Sequence, residues 1–101
     1  MISGYAIGVC TMFDGGYDVE RALCVIPAEI PDSEEIANAW VTAITKRALV
    51  NREDKQLIKF IGRYINVDNV IGIKYAYLEK VQVLFEKPKL PLIEEEEAKP
   101  F

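Results

Sequence analysis

The sequence predicts an α+β domain of order ββααβ(β), an antiparallel sheet with two central helices. Three observations predict it. Two runs rich in β-branched and aromatic residues flank Asp14-Gly15-Gly16. Between residues 33 and 65 the apolar residues recur at three- and four-residue steps. From Ile71 onward the apolar period drops to two, the repeat of a pleated strand.

The first strand is expected over 2–13 and its partner over 17–27. The two glycines after Asp14 can take positive φ, so they suit a short hairpin loop that sets Phe13 against Tyr17. Parity then gives one bulky face, with Tyr5, Ile7, Val9, Phe13, Tyr17, Val19, Leu23 and Val25. The other face is small: Gly4, Ala6, Gly8, Cys10, Met12, Ala22, Cys24 and Ile26, with Asp18 and Glu20 toward the loop. Such a face would let another backbone approach closely, from a helix or from a second subunit.

Pro27 and Pro31 end the hairpin. Asp32 or Ser33 is placed to cap a helix over 33–50, with Glu34 and Glu35 in its positive first turn. Ile36, Trp40, Ala43, Ile44 and Ala48 make its apolar stripe. Asn51 reads as a fresh cap for a second helix over 52–65, with Leu57, Ile58, Ile61 and Ile65 on one side and Asn66 at its end.

Over 70–87 the residues Ile71, Ile73, Tyr75, Tyr77, Val81, Val83 and Phe85 share one parity. A single strand of that length would reach roughly 50 Å at ~3.3 Å per residue. Set against a domain ~30 Å across, it would project and pair with a second subunit. A hairpin turning at Leu78-Glu79-Lys80 keeps the parity and is slightly favoured, although no glycine or asparagine marks the turn.

Residues 1–90 are expected to form one domain, and 91–101 a flexible acidic tail. Pro91 and Pro100 frame Glu94-Glu95-Glu96-Glu97, which cannot bury enough surface to offset ordering. Half of the 101 residues are apolar and 28% are charged, as in a globular chain. No apolar run suits a membrane span, and the first dozen residues lack the basic flank of a signal peptide. The expected location is therefore intracellular, in the cytoplasm. Scarce glutamine, asparagine and methionine beside abundant isoleucine, valine, glutamate and lysine lean toward a thermophilic source. A viral source suits a chain this short, but no residue selects it.

The absence of histidine decides much of the chemistry. It removes histidine general-base catalysis, Ser-His-Asp and Cys-His systems, and almost all zinc sites. Cys10 and Cys24 stand in small apolar surroundings outside any CxxC motif, so buried reduced thiols are expected. No cofactor and no metal is expected. Asp14, Asp18 and Glu20 could hold magnesium or exchange protons, but acids beside a hairpin turn are ordinarily just solvated.

Lys46, Arg47, Arg52, Lys55, Lys59 and Arg63 set six basic residues against two acidic ones between 46 and 63, a local charge of +4. Arg52, Lys55, Lys59 and Arg63 would share one side of the second helix. They form a candidate phosphate-binding stripe, or the solvated face of an amphipathic helix. The whole chain is −4, which opposes general nucleic-acid binding. Tyr75 and Tyr77, two apart, could form an aromatic platform or the rim of a core.

The leading expectation is a non-catalytic interaction or regulatory protein that acts as a homodimer, possessing more apolar sheet than two short helices cover. Tyr75, Tyr77, Val81, Val83 and Phe85 are its expected interface. The first alternative is a nucleic-acid-binding regulator using Arg52, Lys55, Lys59 and Arg63. The second is a small-molecule or nucleotide binder at a subunit interface. No membrane partner is expected.

Overall fold

The computed structural model describes residues 2–83, with Ile2 and Val83 described in their backbone alone. The elements are β1 (Ile2–Phe13), β2 (Tyr17–Pro27), α1 (Ser33–Val50), α2 (Lys55–Ile61) and β3 (Val70–Val83). The class is α+β and the order ββααβ. The sheet is antiparallel with β1 in the middle, order β2-β1-β3. Residues 84–87 of the expected last segment, Phe85 among them, lie outside the described residues, as does the expected tail at 91–101.

The hairpin closes as its loop chemistry dictates. Phe13 pairs with Tyr17, and their rings stack at 5.0 Å. Gly15 and Gly16 have φ of 113° and 84°, values that a side chain would resist. The Gly16 N–H donates to the Phe13 carbonyl at 3.2 Å.

α1 packs its stripe across the sheet. Ala37, Trp40, Ile44 and Ala48 are buried against Ile7, Val9, Cys24, Ile26, Ile73 and Ala76. Each large side chain buried this way contributes about 1.5–3 kcal/mol, so Ile44→Ala should cost about 2–5 kcal/mol. α2 adds Leu57 and Ile61 to the same core. The Trp40 and Phe60 rings stack at 5.2 Å and tie the two helices together.

The second helix is shorter than its periodicity predicts, seven residues rather than the span 52–65. Its cap is Asp54 rather than Asn51. The Asp54 carboxylate accepts from the Gln56 and Leu57 N–H groups at 3.0 and 3.1 Å. Asn51 instead ends α1, and its side chain accepts from the Glu53 N–H at 3.0 Å. Gly62 ends α2 four residues before Asn66. α1 begins after Asp32, whose φ is 59° and whose side chain makes no cap bond.

The hairpin favoured at Leu78-Glu79-Lys80 does not form. β3 is one strand of 14 residues. It pairs with β1 straight through that segment, Ile7 with Leu78, Ala6 with Glu79 and Tyr5 with Lys80. A strand of that length would overrun a near-spherical domain. β1 is itself 12 residues long and supplies a partner along the strand. The molecule is drawn out accordingly, with principal extents of 38 × 24 × 19 Å.

Irregular register corrects the expected faces. The pairing slips between Ile7 and Gly8, so Cys24 stands opposite Ile7 and Ala22 opposite Gly8. Leu23 is the inserted residue. Cys24 and Ile26 therefore join the helix-facing core, and Val25 turns to the other face with Ala6. On β3 the slip at Lys74 pairs Tyr75 with Cys10 but Ile73 with Thr11. Ile73 enters the core while Tyr75 and Tyr77 face away, so the parity read across 71–85 is broken.

The middle of the small-residue face is not left open, which reduces the apolar surplus expected there, although Ala22 is exposed and Met12 half-buried. Ala6, Cys10 and Val25 are at most 4% exposed within this chain. Tyr77 lies across the middle of it: a Cβ added at Gly8 would stand 2.1 Å from the Tyr77 Cζ. No disulfide joins Cys10 and Cys24, which sit on opposite faces of the sheet. No helix among the described residues is long and apolar enough to cross a membrane.

Candidate functional site

The outer edge of β3 is where this fold leaves its chemistry unfinished. In an antiparallel pair, alternate residues turn both backbone groups toward the neighbour and the ones between turn them away. Thr45 on α1 fixes the phase. Its hydroxyl donates to the Ala76 carbonyl at 3.4 Å and accepts from the Ala76 N–H at 3.1 Å. Ala76 thus points away from β1. So do Leu78, Lys80 and Gln82, because the β1–β3 register runs without a slip from Tyr75 to Val83.

One half of this edge is closed. Besides Thr45 at Ala76, the Ile73 N–H donates to the Arg52 carbonyl at 2.8 Å. The approach is close enough that a Cβ at Gly72 would stand 2.7 Å from that oxygen. Past Ala76 the cover stops. Among the described residues, no strand or loop pairs with the outward groups of Leu78, Lys80 and Gln82.

The opposite edge, on β2, is protected by its own irregularity. It is bulged at Leu23 and ends at Pro27, which has no N–H to offer.

Of the expected interface residues, Tyr75 and Tyr77 sit on the face away from the helices. The Tyr75 hydroxyl donates to Glu20 Oε2 at 3.1 Å. Hydrogen bonding with Cys10, then loss of solvent, then the Glu20 carboxylate push its phenol up to about 12. Burial raises the Tyr77 phenol, helped by the nearby carboxylates. Val81 is half-buried in the open segment. Val83 ends β3, and Phe85 falls beyond the described residues.

The basic residues are divided by the short second helix. Lys55 and Lys59 stand four apart on α2, exposed. Arg52 lies in the turn before it and Arg63 beyond its end. Lys59, Phe60 and Arg63 line one shallow groove with Val67. The Arg63 guanidinium lies 5.8 Å from the Phe60 ring centre and 5.9 Å from that of Tyr64. Arg47, counted in the same cluster, is bound to Asp54 Oδ2 at 2.8 Å.

Near the hairpin loop, Asp18 pairs with Lys74 at 2.6 Å and Glu20 with Tyr75. No three metal-ligating side chains group together among the described residues.

Sequence reasoning missed Thr45 and the outward trio of Leu78, Lys80 and Gln82. The trio acts through its backbone, which no side-chain pattern reports. Thr45 did leave a signal, a β-branched hydroxyl beside buried Ile44, but its partner is 31 residues away.

Fold and edge together define a two-layer α+β protein, a three-stranded sheet under two helices with one half-closed rim. Searches among protein families, curated proteins and solved structures find no match for this chain.

Proposed function

We propose that this chain is a non-catalytic interaction protein that acts as a homodimer joined along β3. The observation that carries this reading is the outer edge from Leu78 to Gln82, which no strand or loop pairs among the described residues. A regular, open strand edge is a template for another strand, and proteins usually cover it, bulge it or pair it. Here the first half of β3 is covered, and among the described residues the second half is neither covered nor bulged. The absence of histidine and the engagement of Asp18 and Glu20 with Lys74 and Tyr75 support the non-catalytic part.

Size-exclusion chromatography with light scattering at micromolar concentration tests it. The wild type is expected to run as a dimer. Lys80→Pro removes an outward N–H that β1 does not use, so the variant should keep its fold and run as a monomer. A wild type that is monomeric throughout overturns the reading.

Nucleic-acid binding is the second reading, supported by Lys59 and Arg63 beside one groove and by Lys55 one turn before Lys59 on α2. Each phosphate contact should add about 0.7–0.9 to the salt slope of binding. Loss of binding in Lys55→Glu/Lys59→Glu is the expected result, and no binding by the wild type at ~50 mM salt, in the range where phosphate contacts are strongest, removes it.

A further inference from the structure

Resting on the homodimer reading, we propose that the two copies pair antiparallel along β3 about a two-fold axis through Val81. Each three-stranded sheet would then continue into the other as one six-stranded sheet.

Symmetry and charge choose the axis. The outward groups fall on Ala76, Leu78, Lys80 and Gln82. For two such strands to bond, outward residues must oppose outward residues, so a two-fold axis passes through a residue and never between two. An axis at Leu78 would set Ala76 opposite Lys80, and the Thr45 hydroxyl already occupies the Ala76 groups. An axis at Glu79 would stack Glu79 on itself. One at Lys80 would stack Lys80 on itself. Like charges directly opposite destabilise a strand pair.

Val81 is the first position without either conflict. It meets itself as a β-branched pair. Lys80 comes opposite the partner's Gln82, and the two exchange both backbone bonds, as the symmetric pair does again. The Lys80 ammonium can also donate to the partner's Gln82 amide oxygen. An axis farther out shortens the paired length of the described strand.

The geometry fixes the layers as well. An axis perpendicular to the sheet keeps each face on its own side, so both copies' helices cover the same face. Within the described strand the paired segment then runs from Glu79 to Val83, clear of the Thr45 and Arg52 caps. The Thr45 hydroxyl bars an axis at Glu79 or farther in, where Ala76 would have to pair with Gln82 or an earlier residue.

Cysteine cross-linking tests the axis separately from the dimer. Val81 on Val81 is a wide pair, with Cα atoms about 4.5 Å apart. A disulfide tolerates roughly 4.4–6.8 Å. Cys10 and Cys24 are at most 4% exposed, so an added thiol is the accessible one. In full-length protein under mild oxidation, Val81→Cys should become mostly covalent dimer and Glu79→Cys should stay unlinked. Val81→Lys, which sets lysine on lysine, should weaken dimerisation tenfold or more by light scattering, and Glu79→Lys less than threefold.

Linking of Glu79→Cys in preference to Val81→Cys, with a dimeric wild type, overturns the axis and leaves the homodimer. A dimer unaffected by Val81→Lys does the same. A monomeric wild type overturns both.

Discussion

Two glycines are small because another group already fills the space where a side chain would go. At Gly72 the obstacle is the Arg52 carbonyl, 2.7 Å from a hypothetical Cβ. At Gly8 it is the ring of Tyr77. Backbone yields less readily than a side chain, which orders two predictions. Gly72→Ala should destabilise by about 1–3 kcal/mol, the usual cost of overpacking, and strip exchange protection from the Ile73 N–H. Gly8→Ala should cost less than Gly72→Ala in the wild type and less again in a Tyr77→Ala background, since removing the ring removes the clash. Denaturant melts of the four variants in that cycle measure the difference. Tyr75 carries a prediction of its own. Its phenol is raised to about 12 against an ordinary value near 10. A raised folded value means the fold holds the proton more tightly than the unfolded chain does. The stability that follows is complete below the unfolded value and is lost as pH climbs through the folded one. Phenolate absorbance should therefore show Tyr75 and Tyr77 titrating late, and Glu20→Gln should bring both down. The sequence displayed Gly8 among small residues and Tyr77 among large ones. It could not show that one lies over the other, because that contact depends on a register slip several residues away.

At the scale of elements, the junction between the helices is held by one carboxylate. Asp54 caps α2 through Gln56 and Leu57 and receives the Arg47 guanidinium from α1. The Arg47 hydrogen bond, followed by the Leu57 N–H, holds its carboxyl below the ordinary carboxylate value. The sign is that of a depressed acid. Its contribution is present above the unfolded value and disappears as pH falls through the folded one. Asp54→Ala should cost about 1–2 kcal/mol, typical of a lost cap. Asp54→Asn should retain much of the cap while flattening the acid limb of the stability curve. Chemical melts across the acid range check both. Thr45→Val leaves the Ala76 N–H and carbonyl with no partner and should cost about 1–3 kcal/mol. The limits of β1, β2 and α1 could be read from the sequence because hairpin chemistry and a long helical stripe are local signals. α2 could not be bounded that way. Its apolar residues keep helical spacing past Gly62, yet Tyr64 and Ile65 pack against the core from outside the helix. The slips at Leu23 and Lys74 are equally silent, since one inserted residue changes parity without changing composition.

For the whole molecule, the balance of covered and uncovered surface differs from what side-chain counting suggested. The middle of the small-residue face is shielded within the chain, so apolar surplus argues only weakly for a second copy. What remains is a backbone edge, and that difference is physical. A buried face responds to hydrophobic area, whereas an edge is completed by hydrogen bonds and by whatever strand geometry the partner offers. Dimerisation along β3 should accordingly couple assembly to folding, because a partner that binds only the folded strand draws the equilibrium toward it. Each tenfold increase in protein concentration should then stabilise the folded dimer by about 1.4 kcal/mol. The thermal midpoint of the wild type should rise steadily as protein concentration increases across two decades. Lys80→Pro, blocked at the edge but intact in the β1–β3 ladder, should melt at one temperature throughout that range. Near the top of it the two proteins should differ most, and on dilution below the dimer's dissociation constant the wild-type curve should level off. Identical, concentration-independent midpoints in both proteins would mean that the β3 edge contributes nothing to the stability of this fold.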